Sequence, residues 1–310
     1  MNTSWQTRIG HQRDFIWRGW QTRYTYLGAQ QVSSGSPDLP LVLLHGFGAS
    51  IEHWRKNIAY LSQQRTVYAV DLLGFGASVK ASTRYKVDLW VEQVHDLWQA
   101  VIRQPIVLVG NSLGSLVGMS LAAKYPEMVK GLVMLSLPDV SLRQEMLPAA
   151  IAPLVTTLEN LVASPLLIKN LLKFLRKPPI IRRWAQVAYE DETAIDRELV
   201  QILSRPAYDE GAARTFYRLF QGVRQPSFAK SAKEVLPRLE IPILLVWGEQ
   251  DKMVPGKLAP FFSQMSDRIE LVQLPNMGHC PHDENPEVFN QLLTQWLEKF
   301  QVQQKFNSEL

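Results

Sequence analysis

Ser112 is the residue in this chain best placed to act as a nucleophile. It lies in Ile106-Val107-Leu108-Val109-Gly110-Asn111-Ser112-Leu113-Gly114, a short apolar run that ends in Gly-x-Ser-x-Gly. A helical run follows, from Leu116 to Lys124. Strand, sharp turn and helix together lift a serine hydroxyl above a sheet edge. The turn requires a strained serine backbone, and a side chain at Gly110 or Gly114 would collide with the neighbouring strand or helix. The helix N-terminus offers free N–H groups to developing negative charge. The chemistry such a group suits is nucleophilic attack on an ester carbonyl through an acyl-enzyme.

A serine hydroxyl is a poor nucleophile at neutral pH and needs a base within hydrogen-bond reach, for which histidine is suited. The six histidines are His11, His45, His53, His95, His279 and His282. His279 is best placed, in Leu274-Pro275-Asn276-Met277-Gly278-His279, on a loop between the last strand and the final helix. His282 competes with it; Gly278 favours His279 by allowing a tight approach. The base in turn needs an acid to hold its tautomer. Asp251, closing Val246-Trp247-Gly248-Glu249-Gln250-Asp251, is preferred, with Asp139 as rival and Glu249 as a weaker candidate. Both aspartates keep the chain order Ser, Asp, His. Two donors for an oxyanion are read as the N–H of Leu113 and the N–H of Phe47, the latter in His45-Gly46-Phe47-Gly48. His45 reads as a brace for that loop, and Cys280 as a packed residue.

These residues need a scaffold that gathers loops at one edge. Phe15-Ile16-Trp17 and Thr22 to Leu27 flank Gly19 and read as an antiparallel hairpin. Leu41 to Leu44, Thr66 to Val70, Ile106 to Val109, Leu132 to Leu135, Ile243 to Trp247 and Ile269 to Val272 read as further strands. The fully apolar run Leu41 to Leu44 suits a parallel sheet buried on both faces. Helices are expected over Trp54 to Ser62, Val87 to Ile102 and Pro286 to about Phe300. The expected fold is α/β, a mostly parallel sheet with helices on both faces. Between about Asp139 and Gln225 the strands stop and helical runs take over, as over Leu161 to Leu175 and Ala194 to Leu203. The division expected is a core of residues 1–138 and 226–310, with a helical cap of residues 139–225 after the sixth strand.

Composition removes other classes. The chain has 310 residues, 46% hydrophobic and 20% charged, with a formal net charge of +4. That balance is globular and does not point to nucleic acid. The Gly-Phe-Gly loops at Gly46 and Gly74 carry Ile51 and Val79 where a dinucleotide fingerprint needs its third glycine. Cys280 is the single cysteine, so no internal disulfide and no zinc site are expected. No cofactor or metal is expected. Met1 to Gln6 lack the apolar core of a signal peptide, so the expected location is cytoplasmic. One segment leaves membrane contact open. Lys169, Lys173, Arg176, Lys177, Arg182 and Arg183 interleave with Leu166, Leu167, Leu171, Leu172, Phe174 and Leu175, with no acid among them. This is either a basic amphipathic helix resting on an anionic membrane or a cap helix packed on the core with solvated charges.

The chain resembles the α/β-hydrolase superfamily over nearly its whole length. Ser112, Asp251 and His279 match that superfamily's nucleophile, acid and base positions. The motifs His45-Gly46-Phe47-Gly48-Ala49-Ser50, Asp71-Leu72-Leu73-Gly74-Phe75-Gly76-Ala77-Ser78, Gly110 to Ser115 and Gly278-His279-Cys280-Pro281-His282-Asp283 resemble more closely the chlorophyll dephytylase and pheophytinase group of plants and cyanobacteria. That resemblance implies hydrolysis of the phytyl ester of chlorophyll or pheophytin. It also implies an apolar tunnel, for which Leu147, Ile151, Leu154, Leu158, Leu161 and Leu166 are candidates, and a thylakoid-type membrane as the place of contact. Dehalogenases and epoxide hydrolases of this fold use an aspartate nucleophile, so Ser112 argues against both.

Overall fold

The computed structural model describes residues 8–31, 39–139 and 165–308. Eight strands form one sheet: β1 (His11–Trp17), β2 (Trp20–Leu27), β3 (Leu41–Leu44), β4 (Val67–Val70), β5 (Ile106–Asn111), β6 (Val129–Leu135), β7 (Ile243–Gly248) and β8 (Ile269–Leu274). Their order is β1-β2-β4-β3-β5-β6-β7-β8. β2 is antiparallel to both its neighbours; from β4 to β8 every pairing is parallel. The β1–β2 turn is made by Arg18 and Gly19, both at positive φ, the combination that matches the twist of a two-residue hairpin.

Apolar strands in the middle of the sheet have a direct cause. Leu41 and Leu43 face one core layer, while Val42 and Leu44 face the other. Successive side chains point to opposite faces, so a strand covered on both sides must be apolar throughout. One layer is closed by α1 (Val87–Leu97), through Trp90, Val91 and Val94, and by α2 (Leu113–Lys124), through Leu116 and Val117. The other is closed by the final helix, through Phe289, Leu293, Trp296 and Leu297.

Between β6 and β7 the described residues hold helices and no strand: α3 (Pro165–Leu175), α4 (Pro178–Ala188), α5 (Arg197–Ser204) and α6 (Ala212–Val223). The final helix is α7 (Pro286–Ser308). Pro178 and Pro179 fall where α4 begins, so the basic stretch read as one amphipathic run is two helices. α5 is capped by Asp196, which accepts the Leu199 N–H at 2.7 Å.

Two expected helices differ, one in extent and one in type. The helix expected over Trp54 to Ser62 is a 3-10 turn, Ile51–Trp54, and one helical turn, Ile58–Leu61. Buried Asn57 sits between them, its amide donating to His282 O and Asn290 Oδ1. α1 continues past Leu97 as a π turn, Trp98–Ile102, closed by Arg103 at φ 57. Of the run expected over Leu161 to Leu175, Pro165–Leu175 is helical and residues 161–164 lie outside the described residues. Of the proposed tunnel residues, Leu147, Ile151, Leu154, Leu158 and Leu161 lie outside the described residues, as does the side chain of Leu166.

Candidate active site

The parallel strands all end at one edge, and the loops leaving β3, β4, β5, β7 and β8 meet there. Ser112 sits between β5 and α2 with φ 53 and ψ −111, a backbone conformation unfavourable for any residue with a Cβ. The surroundings hold it in place. Its N–H donates to Leu135 O at 2.8 Å. Buried Ser115 donates to Gly110 O at 2.8 Å and accepts the Leu135 N–H at 3.1 Å. A Cβ on Gly110 would lie 2.3 Å from Gly114 O, and one on Gly114 would lie 2.1 Å from Leu44 O. Both glycines are therefore required by close backbone approach, as the sequence reading expects.

His279 and Asp251 are brought together. His279 Nδ1 lies 2.8 Å from Asp251 Oδ2, with both side chains buried. The other oxygen, Asp251 Oδ1, accepts the Met253 and Val254 N–H groups at 2.8 Å each. An ionised carboxylate only accepts, so Nδ1 carries the hydrogen and Nε2 keeps its lone pair. Asp139 is employed elsewhere: its Oδ2 accepts the Ala232 N–H at 2.9 Å and the Ser231 hydroxyl at 3.1 Å. His282 is fully buried between Trp54, His53 and Phe289, and burial lowers its pKa well below the ordinary value. Cys280 is buried too, and burial pushes its thiol up, away from the thiolate a nucleophile needs. Asn111, which occupies a variable position of the serine motif, joins the two loops: its amide donates to His279 O at 3.1 Å.

The loop after β3 lies against the elbow. A Cβ on Gly46 would be 2.9 Å from Asn111 Oδ1 and 3.5 Å from the Ser112 Cβ. Phe47 follows Gly46, its half-exposed ring packed edge-on against Phe75 with centroids 5.4 Å apart. The two Gly-Phe-Gly loops thus brace each other. Asp71, buried at the end of β4, accepts the Ile51 N–H of one loop and the Ala77 N–H of the other, each at 2.7 Å. Burial raises its carboxyl to about 6 even so. A Cβ on Gly76 would strike that carboxylate at 2.2 Å. His45 completes the brace: Nδ1 donates to Gly46 O at 2.8 Å and Nε2 accepts the Leu72 N–H at 3.1 Å. Burial lowers its pKa to about 4, so it is neutral at pH 7. Among the described residues no group of three or more histidine, cysteine or acidic side chains could hold a metal ion.

The profile of the alpha/beta hydrolase family matches residues 41–292. The chain belongs to that family. Among its relatives is 2-hydroxy-6-oxo-6-(2'-aminophenyl)hexa-2,4-dienoic acid hydrolase of Metapseudomonas resinovorans, 27% identical, with 87% of this chain and 85% of the relative covered. Pimeloyl-[acyl-carrier protein] methyl ester esterase of Shewanella woodyi is 30% identical, over 84% of this chain and 94% of its own. Chloroplastic pheophytinase of Arabidopsis thaliana is 24% identical, over 84% of this chain and 61% of its own. A solved serine hydrolase involved in carbazole degradation superposes with a TM-score of 0.74 at 24% identity, covering 93% of this chain and 98% of its own, which shows the shared fold.

In this alpha/beta hydrolase the helical region is clamped to the His279 loop. The His279 N–H donates to Ala188 O, at the end of α4, at 2.6 Å. A Cβ on Gly278 would lie 2.3 Å from that same carbonyl oxygen, so the glycine admits the backbone of the helical region itself. Glu284 accepts the N–H groups of Gly278, Glu190 and Asp191 at 2.8, 2.8 and 2.6 Å. Below it, fully buried Asp283 accepts from Arg55 Nη1 and the Tyr189 hydroxyl, both at 2.7 Å. Tyr189 in turn receives the His53 Nε2 hydrogen at 2.8 Å. Arg55 Nε donates to Glu198 of α5 at 2.6 Å. Buried charges such as Arg55 and Asp283 need partners of this kind to be tolerated. Glu284 and Tyr189 carry no motif signal, and Asp283 enters only as the last residue of the Gly278 to Asp283 motif; their convergence in space is what marks them.

Proposed function

We propose that the protein is a serine carboxylesterase that hydrolyses a bulky hydrophobic ester, with the phytyl ester of chlorophyll or pheophytin favoured. The observation that carries the esterase reading is the 2.8 Å contact of His279 with Asp251 at the sheet edge where Ser112 sits in its strained turn. Ser112 Oγ attacks the ester carbonyl carbon while its proton passes to His279 Nε2. The carbonyl oxygen becomes an oxyanion held by the N–H groups of Leu113 and Phe47. The tetrahedral intermediate collapses, and the alcohol leaves with the proton from His279. A water, giving its proton to His279, then attacks the acyl carbon and frees the acid and Ser112. Asp251 holds the histidine tautomer and stabilises the imidazolium. No cofactor takes part in this scheme.

The phytyl ester is favoured by the four motifs shared with the dephytylase group and by the match to a plant pheophytinase. The helical cap of residues 139–225 over a core of residues 1–138 and 226–310 suits a long apolar alcohol. A second reading, cleavage of a carbon–carbon bond at the same serine, is supported by the Metapseudomonas resinovorans relative. The test is product analysis with detergent-dispersed chlorophyll and pheophytin, beside short and long nitrophenyl esters and a dienoic acid substrate, with Ser112→Ala as control. Phytol release by the wild type alone is expected. Turnover of nitrophenyl esters alone would leave an esterase without the pigment substrate. Ester turnover unchanged in Ser112→Ala would refute the nucleophile.

A further inference from the structure

We propose that the outer face of α3 and α4 is a docking surface for an anionic lipid bilayer. The face is apolar where a soluble helix is normally polar. Trp184 is 60% exposed, Phe174 and Tyr208 52% each and Val187 40%. α4 buries an apolar stripe, where Ile181, Ala185 and Ala188 pack with Tyr189, Ile195 and Leu199. Trp184 and Val187, three residues apart, flank that stripe and carry its apolar character onto the exposed surface of the same helix. The aromatics are set among cations. The Arg176 guanidinium lies 4.2 Å above the Tyr208 ring, and Lys177 Nζ lies 5.8 Å from the Phe174 ring. Lys173, Lys177 and Arg183 are exposed, and no ion pair of the described residues includes them.

Charge selects the partner. Residues 165–189 contain no Asp or Glu, so neither helix itself repels anionic headgroups. Tyr208, in the turn Arg205–Tyr208, is followed by Asp209, which is paired with Lys80 at 3.0 Å, and by Glu210. Exposed tryptophan and tyrosine beside lysine and arginine match the headgroup boundary of a bilayer, where ring and cation are both solvated suitably. The contact proposed is peripheral; among the described residues no helix is long and apolar enough to cross a membrane. The surface also leads to the reacting centre, because α4 ends at Ala188, whose carbonyl holds the His279 N–H. A membrane-resident ester would enter beside this helix, and in that respect the inference rests on the esterase reading; the binding surface itself does not.

The test is flotation of the full chain with phosphatidylcholine vesicles, with or without about a third phosphatidylglycerol. Wild type is expected to float with the anionic vesicles and not with the neutral ones. Each surface cation contributes about fivefold in partitioning. The triple variant Lys173→Ala, Lys177→Ala, Arg183→Ala should therefore lose binding on the order of a hundredfold. Trp184→Ala should lose it too, by removing the inserted ring. All variants should turn over a water-soluble nitrophenyl ester at the wild-type rate, showing that they fold. Ser112→Ala should float like wild type, so a failed esterase assignment leaves the surface standing. Equal flotation of wild type and triple variant would overturn the proposal. So would a dimer that dissociates on Trp184→Ala in a protein that ignores vesicles, which would assign the face to a second copy.

Discussion

Asp251→Asn tests the site through a single hydrogen. The substitution keeps the size and shape of the side chain, and the local backbone dictates which way the new amide turns. Asp251 Oδ1 accepts two N–H groups, from Met253 and Val254, each at 2.8 Å. Turning the amide nitrogen toward them would leave two donors unpaired at about 1–3 kcal/mol each. The amide oxygen of the variant therefore stays on that side, and its NH2 faces His279 Nδ1. A nitrogen facing an NH2 must accept, so the imidazole proton moves to Nε2. The nitrogen needed to take the proton of Ser112 then carries one already. A wrong tautomer in an otherwise intact site is worth about 10⁴ in kcat, or about 5.5 kcal/mol of barrier. The hydrogen-bond count is kept, so stability should change by less than about 1 kcal/mol. The assay is steady-state hydrolysis of a soluble nitrophenyl ester together with the rate of fluorophosphonate labelling of Ser112, with urea melts as the folding control. Asp139→Asn is the companion variant and should lose less than about tenfold, since its carboxylate serves Ser231 and Ala232. An Asp251→Asn protein within tenfold of wild type, or a larger loss in Asp139→Asn, would refute the reasoning.

Gly114→Ala would press a methyl group to 2.1 Å from Leu44 O and 3.0 Å from His45 O, backbone atoms that cannot rotate away. A stability loss of about 1–3 kcal/mol in urea is expected. The accompanying drop in kcat should be about 10², because the Phe47 loop is displaced from the elbow. Glu284→Gln exchanges one acceptor oxygen for an NH2 among three N–H donors. Esterase assays and melts should show kcat falling more than KM rises, with stability lower by about 2 kcal/mol. His282→Phe reads the pH dependence. The folded protein holds His45 and His53 near pKa 4 and His282 well below its ordinary value. Their contribution is complete above the unfolded value of about 6.5 and is lost as pH falls, at about 1.4 kcal/mol per pH unit for each histidine. Asp71, raised to about 6, and Glu52, raised to about 7, act in the opposite direction below those values. The His282→Phe protein should therefore show a Tm that falls less steeply between pH 6.5 and 4.5; an unchanged slope would mean that His282 is protonated in the fold.

The central strands that position the site were legible because they are uninterrupted apolar runs, which a parallel sheet covered on both faces requires; β8, at the sheet edge, carries Glu270 and Gln273. Leu41 to Leu44 and Ile106 to Val109 are strands as read, and the serine motif stands between strand and helix for a local steric reason that two glycines record. The hairpin around Gly19 and the switch to helices after β6 were legible for the same reason, since turn chemistry and periodicity are local. The helix expected at Trp54 was not, because buried polar bonds from Asn57 to His282 and Asn290 outweigh helix propensity there. The choice between Asp251 and Asp139 was also beyond the linear chain, since both preserve the order of residues and only distance separates them. The same holds for the roles of Asn111, Asp71 and Glu284, whose partners lie 168, 20 and 94 positions away in the chain. Local sterics and side-chain periodicity are written residue by residue and can be read from the sequence. Which acid meets the histidine, and which carboxylate fastens the helical region beside it, depends on long-range closure that exists only once the sheet has brought its loops to one edge.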